Sequence, residues 1–220
     1  MKKAILVTRP RYDDATEYLF CYAKKAIDFA NEKNVEVLDL TRPRLTQKNF
    51  SDLISKKDPL LIFFNAHGDE NTIYGDKING KEEILIREDK NHNLLNKRIV
   101  YARACLSSAS LGQKACKDGC FIGYRMPFSF WVDNRWSAKP LNDNTAKLFL
   151  EPSNLIIISL LKGNSAKEAH EKSLKMTSKN ILELLKNKDE PGAMASIMLL
   201  WNNMQCQEIL GNEDMTLDTL

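Results

Sequence analysis

This 220-residue sequence has little histidine, proline or glycine: three, seven and nine residues respectively. That scarcity of glycine and proline excludes a collagen-like or low-complexity chain. Long apolar runs are missing too. The run Leu155–Leu161 has seven residues and includes Ser159, far short of the ~18 of a membrane span. Lys2 and Lys3 are followed only by Ala4–Val7 before Arg9 and Arg11, too short for the apolar segment of a secretory signal. A soluble, cytoplasmic protein is therefore expected. Charge of one sign is not concentrated: 32 Lys and Arg against 29 Asp and Glu give a net +3, and the two signs alternate. A dedicated nucleic-acid binder carries a basic stripe, so neither a nucleic acid nor a membrane is expected as a partner. The cysteines (Cys21, Cys105, Cys116, Cys120 and Cys206) number five, an odd count that does not suit a disulfide framework. Cys116 and Cys120 are four apart, but no second Cys or His pair lies nearby to complete a tetrahedral site. No metal and no cofactor is expected.

What is present is a regular alternation. The length suits one large domain over residues 1–220, with no internal repeat and no dividing linker. Apolar runs at Ala4–Val7, Val35–Leu40, Pro59–Asn65, Arg98–Ala104 and Cys120–Tyr124 read as strands. Their unbroken character fits a mostly parallel sheet covered on both faces. Between them, Tyr18, Leu19, Tyr22, Ala26, Phe29 and Ala30 recur at helical spacing behind a cap at Asp13 or Asp14. Gln47–Ser55 and Ser107–Lys117 are further predicted helices. A small hairpin insertion is expected at about 69–90. Pro127–Leu141 reads as an aromatic loop over a site. From about 143 to 215 the chain reads as helical, with helices at Thr145–Leu150, Asn154–Lys162, Ala166–Lys186 and Ala193–Leu210. The fold class is α/β, a layered sandwich.

The two most apolar strands end in reactive side chains. One stops at His67-Gly68 and the other at Cys105. Reactive groups gather beyond the carboxyl ends of parallel strands, and neighbouring strands lie about 4.8 Å apart. A Cys and a His so placed form a nucleophile and a base, needing no third side chain if a carbonyl orients the imidazole. Gly68, with no Cβ, lets its N–H approach a ligand. Together with the Cys105 N–H it forms a candidate oxyanion hole. The other histidines fit blander roles: His92 lies in a polar surface stretch and His170 on a charged helix.

The strings Phe63-Phe64-Asn65-Ala66-His67-Gly68 and Ala104-Cys105-Leu106-Ser107-Ser108-Ala109 resemble the caspase-like (clan CD) cysteine peptidases, closest to the CHAT and gingipain-like branch. Phe121–Tyr124, Leu160–Ala169 and Ile209–Asn212 are similar to later segments of that branch, although Glu213 stands where Pro is common. The resemblance implies a caspase-hemoglobinase three-layer α/β/α sandwich and a cysteine endopeptidase acting on protein or peptide substrates. Cys105 would be the nucleophile and His67 the general acid/base. It leaves room for a separately encoded regulatory subunit. In this clan the residue two before the cysteine and the loop after the first strand help line the specificity pocket. Those positions are Arg103 and Arg9 or Arg11, which would favour an acidic residue before the scissile bond. Asp133, on the aromatic loop, would instead favour Arg or Lys. Competing readings are a catalytically silent caspase-like interaction module, a different thiol hydrolase or acyltransferase, and a nucleotide-binding α/β fold. The last lacks a glycine-rich loop after the first strand, which reads Thr8-Arg9-Pro10-Arg11-Tyr12.

Overall fold

The computed structural model describes residues 4–218. The strands are β1 (Ala4–Arg9), β2 (Glu36–Thr41), β3 (Leu61–Asn65), β4 (Thr72–Ile78), β5 (Lys81–Arg87), β6 (Ile99–Arg103), β7 (Cys120–Tyr124) and β8 (Gln207–Gly211). The helices are α1 (Asp14–Glu32), α2 (Gln47–Lys57), α3 (Leu111–Ala115), α4 (Asn144–Leu161), α5 (Ala166–Lys186) and α6 (Ala193–Cys206). Six strands form one sheet in the order β2-β1-β3-β6-β7-β8, parallel except for β8, which runs against β7. The hairpin β4–β5 stands apart from it and turns at Asn79-Gly80, both at positive φ, the conformation that Asn-Gly favours.

Every residue of β1, β3, β6 and β7 is buried, so apolar side chains predominate on both faces, with polar ones near the strand ends at Thr8, Arg9, Asn65 and Arg103. One face packs on α1, α4, α5 and α6 through Tyr22, Ala26, Leu150, Ile157 and Leu200. The other packs on α2, α3 and the hairpin through Phe50, Ile54, Leu111 and Leu85. Asp13 starts α1 with a capping box to Thr16, satisfying helix N–H groups that have no partner within the helix.

Three expectations are corrected. Helices expected at Thr145–Leu150 and Asn154–Lys162 are one helix, α4, running through Pro152. A proline frees the carbonyl four residues earlier; that carbonyl, Leu148, accepts the Asn180 amide of α5 at 2.8 Å. The helix expected over Ser107–Lys117 shrinks to Leu111–Ala115, because the chain before it bonds to the end of β7. Ser108 N–H donates to the Tyr124 carbonyl at 3.2 Å, and Ser107 Oγ accepts from Tyr124 N–H at 3.3 Å. The last helix ends at Cys206, and Gln207–Gly211 is the edge strand β8. There the open ladder of β7 outweighs local helix propensity.

Candidate active site

β3 and β6 are parallel neighbours with Asn65 opposite Arg103. The ladder ends there, and His67 and Cys105 follow two residues later in their chains. On the α1–α4 face the cross-strand pairs form layers. Phe63 and Tyr101 stack with ring centroids 5.2 Å apart, and Arg103 donates to the Asn65 carboxamide in the next layer.

Behind His67 lies a carboxylate. The chain leaves β1 for β2 on one side, then returns to β3 on the other, with α1 and α2 on opposite faces. That is a switch point, where open α/β sheets form their crevice. Asp13, after β1, and His67, after β3, meet across it, with Nε2 and Oδ2 2.8 Å apart. Burial acts to raise the Asp13 pKa, but hydrogen bonds from the Thr16 backbone and hydroxyl and from His67 outweigh it and hold the carboxyl below its ordinary value. The Tyr12 ring lies 5.9 Å from the imidazole, and its hydroxyl donates to Glu82, tying the hairpin to this loop.

Cys105 is half-buried. Its thiol lies 3.7 Å from the Phe128 carbonyl, and burial pushes the thiol pKa up. Leu106 has φ +55°, a left-handed conformation uncommon for a non-glycine residue. Its N–H is held by the Met126 carbonyl at 3.3 Å. Gly68 packs on the Cys105 backbone: a Cβ there would lie 2.9 Å from the Cys105 carbonyl oxygen and 3.1 Å from the Ala104 Cβ. Gly68 also faces Ile73 in an isolated bridge whose bonds come from its neighbours, Tyr74 N–H to the His67 carbonyl at 3.1 Å and Asp69 N–H to the Thr72 carbonyl at 3.0 Å. Among the described residues, neither the Gly68 N–H nor the Cys105 N–H donates to a backbone acceptor in the loops.

The charged candidates for substrate selection do not gather as free charges. Arg103 is fully buried and points between α1 and α4, donating to Asn154 Oδ1 at 2.9 Å. That corrects its expected place in a specificity pocket: a strand residue on the buried face projects into the core, not the cleft. Arg9 is also buried; its Nε donates to Asp39 Oδ1 at 2.9 Å and its guanidinium lies over the Phe20 ring at 4.0 Å. Arg11 is exposed and paired with Glu17. Asp133 is paired with Arg135, and its N–H donates to Asp143 Oδ2 at 2.7 Å. Arg9, Arg11 and Asp13 line one cavity of about 700 Å³. His92 and His170 lie elsewhere, each against a backbone carbonyl, Glu88 at 2.6 Å and Gln207 at 3.2 Å. Asp13 is the carboxylate beside His67 that sequence reasoning missed. It was legible only as a helix cap, although its position directly after the first strand was a usable signal.

The architecture defines an α/β/α sandwich of the caspase-hemoglobinase fold. Among solved structures, the chain is similar to the Arg specific cysteine proteinase gingipain R, at TM-score 0.59 and 10% identity, covering 97% of this chain and 47% of that one. It is also similar to a complex of Porphyromonas gingivalis RgpB pro- and mature domains, at TM-score 0.52 and 10% identity, covering 96% and 47%. The chain thus spans about half the length of these structures. No family model matches the sequence, and no curated protein matches it. Among the described residues no helix is long and apolar enough to cross a membrane.

Proposed function

We propose that the chain is a cysteine endopeptidase using Cys105, His67 and Asp13. The observation that carries this reading is that β3 and β6 are parallel neighbours in register as far as Asn65 and Arg103, two residues before His67 and Cys105, with His67 bonded to Asp13 at 2.8 Å. Because burial raises the Cys105 pKa, the thiol rests protonated and needs a base. In the reaction Cys105 Sγ attacks the peptide carbonyl as its proton passes to His67. The Gly68 and Cys105 N–H groups hold the oxyanion. His67 then protonates the leaving amine, giving a thioester, and next takes a proton from the water that hydrolyses it. Asp13 holds the imidazole in place through its Nε2, the orienting role an acid has in other nucleophile–histidine pairs.

The experiment is hydrolysis of a peptide library, together with labelling by a thiol-directed peptide warhead. Cys105→Ala should abolish both, and His67→Ala should lower kcat/KM by about 10²–10⁴-fold. Cleavage retained in Cys105→Ala overturns the assignment, and a parent protein that neither cleaves nor labels favours a silent interaction module. With Arg103 and Arg9 committed, Arg11 is the charged candidate for an acidic preference; it predicts that Arg11→Ala lowers kcat/KM for Asp or Glu peptides. A basic preference lost in Asp133→Ala would support the opposite choice. A regulatory subunit belongs to the same reading, supported by the pairing of pro- and mature domains in one similar structure.

A further inference from the structure

From Ala193 to Cys206, α6 carries no Lys, Arg, Asp or Glu. A helix apolar all round belongs inside a fold, whereas a surface helix keeps its outer side polar. Only one side of α6 is buried, through Ala193, Ser196, Leu200, Asn203 and Cys206. The opposite side is open, and it presents Met194, Met198 and Trp201, whose spacing of four and then three residues sets them in one row. The helix α5 packs on α6 and exposes Leu182 and Leu185. A groove of about 560 Å³ is lined by Trp131 together with Leu184 of α5, Pro191 of the turn and Ala195 of α6, which brings a sixth large apolar side chain to this region.

These six side chains are between 44% and 68% exposed. At roughly 200 Å² for a large side chain they leave about 600 Å² open, the upper end of the largest patch on an ordinary monomer. Two such surfaces facing each other bury about 1,200 Å² from these side chains alone, which reaches the range of specific protein interfaces. The charges along α5 and the turn into α6 are of both signs: Lys179, Glu183 and Lys186 on the helix, with Glu183 and Lys186 paired at 2.8 Å, then Lys188, Asp189 and Glu190. A helix that lies on a membrane is rich in Lys and Arg, and α6 has neither. A partner of one strong sign would be repelled by half of these groups, whereas a second copy offers the same mixture and can set opposite signs face to face.

We infer that the outer side of α5 and α6 is a self-association surface, on which a second copy of this chain docks about a two-fold axis. The rows Met194, Met198 and Trp201 of the two copies form the dry centre, and the mixed charges of α5 and the turn form the rim. The inference is independent of the catalytic assignment. It also differs from pairing through the open sheet edges at β2 and β8, where backbone groups rather than side chains would make the contact.

The test is sedimentation equilibrium of the full chain from micromolar to near-millimolar concentration, for the parent and for the double variant Met198→Glu, Trp201→Glu. The parent should approach twice the mass of one chain at the upper end. The double variant should keep the mass of one chain there, with an unchanged circular dichroism spectrum. A parent that stays monomeric throughout overturns the inference. So does a dimer that survives in the folded double variant, because another face, such as the edge of β8, then holds it. If the double variant does not fold, amide hydrogen exchange of the parent decides. Slower exchange across residues 193–205 at the upper concentration than at the lower supports the surface, and equal exchange overturns it. A parent that is monomeric in solution but sediments with phosphatidylcholine vesicles also overturns self-association and makes the patch a lipid-facing one.

Discussion

At the scale of single residues, Asp13 has two jobs that substitution can separate. It caps α1 through Thr16 N–H at 2.8 Å and holds His67 Nε2 at 2.8 Å. Asparagine caps a helix as well as aspartate does but carries no charge. Asp13→Asn should therefore lower kcat/KM by at least about tenfold and at pH 7 lose only the part of the stability that depends on the charge, whereas Asp13→Ala should in addition lose about 1 kcal/mol from the cap. The Asp13 pKa is depressed in the fold. Its charge-dependent stability is then present above the unfolded value near 3.9 and lost as pH falls through the lower folded value. Melting curves of the parent and of Asp13→Asn should converge at the acid end; a difference that grows toward low pH would contradict this. Gly68→Ala is the complementary steric test. Its Cβ would press on the Cys105 carbonyl oxygen and the Ala104 Cβ, parting the two strand tips. The expected result is a folded, inactive protein.

At the scale of elements, the segment between β7 and α4 decides how Cys105 is covered. The Phe128 carbonyl meets the thiol. Ring contacts run from Tyr124 through Phe128 and Phe130 to Tyr18. From α6, the Asn203 side chain accepts from Ser129 N–H at 3.0 Å and donates to the Ser129 carbonyl at 2.6 Å. Asn203→Ala should raise amide hydrogen exchange across residues 126–131 and lower kcat/KM while Cys105 stays open to alkylation. Unchanged exchange would show that the rings alone hold the segment. Asn180→Ala acts on an element away from the site. It leaves the Leu148 carbonyl beneath Pro152 without its side-chain donor, which should cost about 1–3 kcal/mol with kcat unaffected.

At the scale of the whole molecule, the stretch from Cys105 to Cys120 leaves little to cut. It spans fifteen positions, and Ser107, Ser108, Leu111, Gly112 and Ala115 within it are buried. Exposed loops are the sites that proteases nick. The intact chain should hydrolyse peptide while mass spectrometry still finds it uncut; activity that appears only after cleavage within 107–119 would contradict this. The same view explains the site's location. β1, β3 and β6 lie side by side in the sheet, so the segments that follow them, with Asp13, His67 and Cys105, leave from the same edge although distant in sequence.

The sequence by itself determined the parallel core and the reactive strand ends. Unbroken apolar runs such as Leu61–Phe64 suit a strand buried on both faces, and a polar residue after such a run marks the carboxyl edge. Local spacing also marked α1, α5 and the hairpin turn. Contacts between distant segments decided the rest. Pro152 stays inside α4 because Asn180 of another helix takes the freed carbonyl. Gln207–Gly211 becomes a strand because β7 offers an open ladder. Arg103 turns inward because Asn65, Ser153, Asn154 and Leu19 surround its guanidinium. Asp13 becomes the partner of His67, 54 positions away, only once β1 and β3 lie side by side. Propensity and periodicity act over a few residues, whereas a hydrogen bond across a sheet depends on which strands become neighbours.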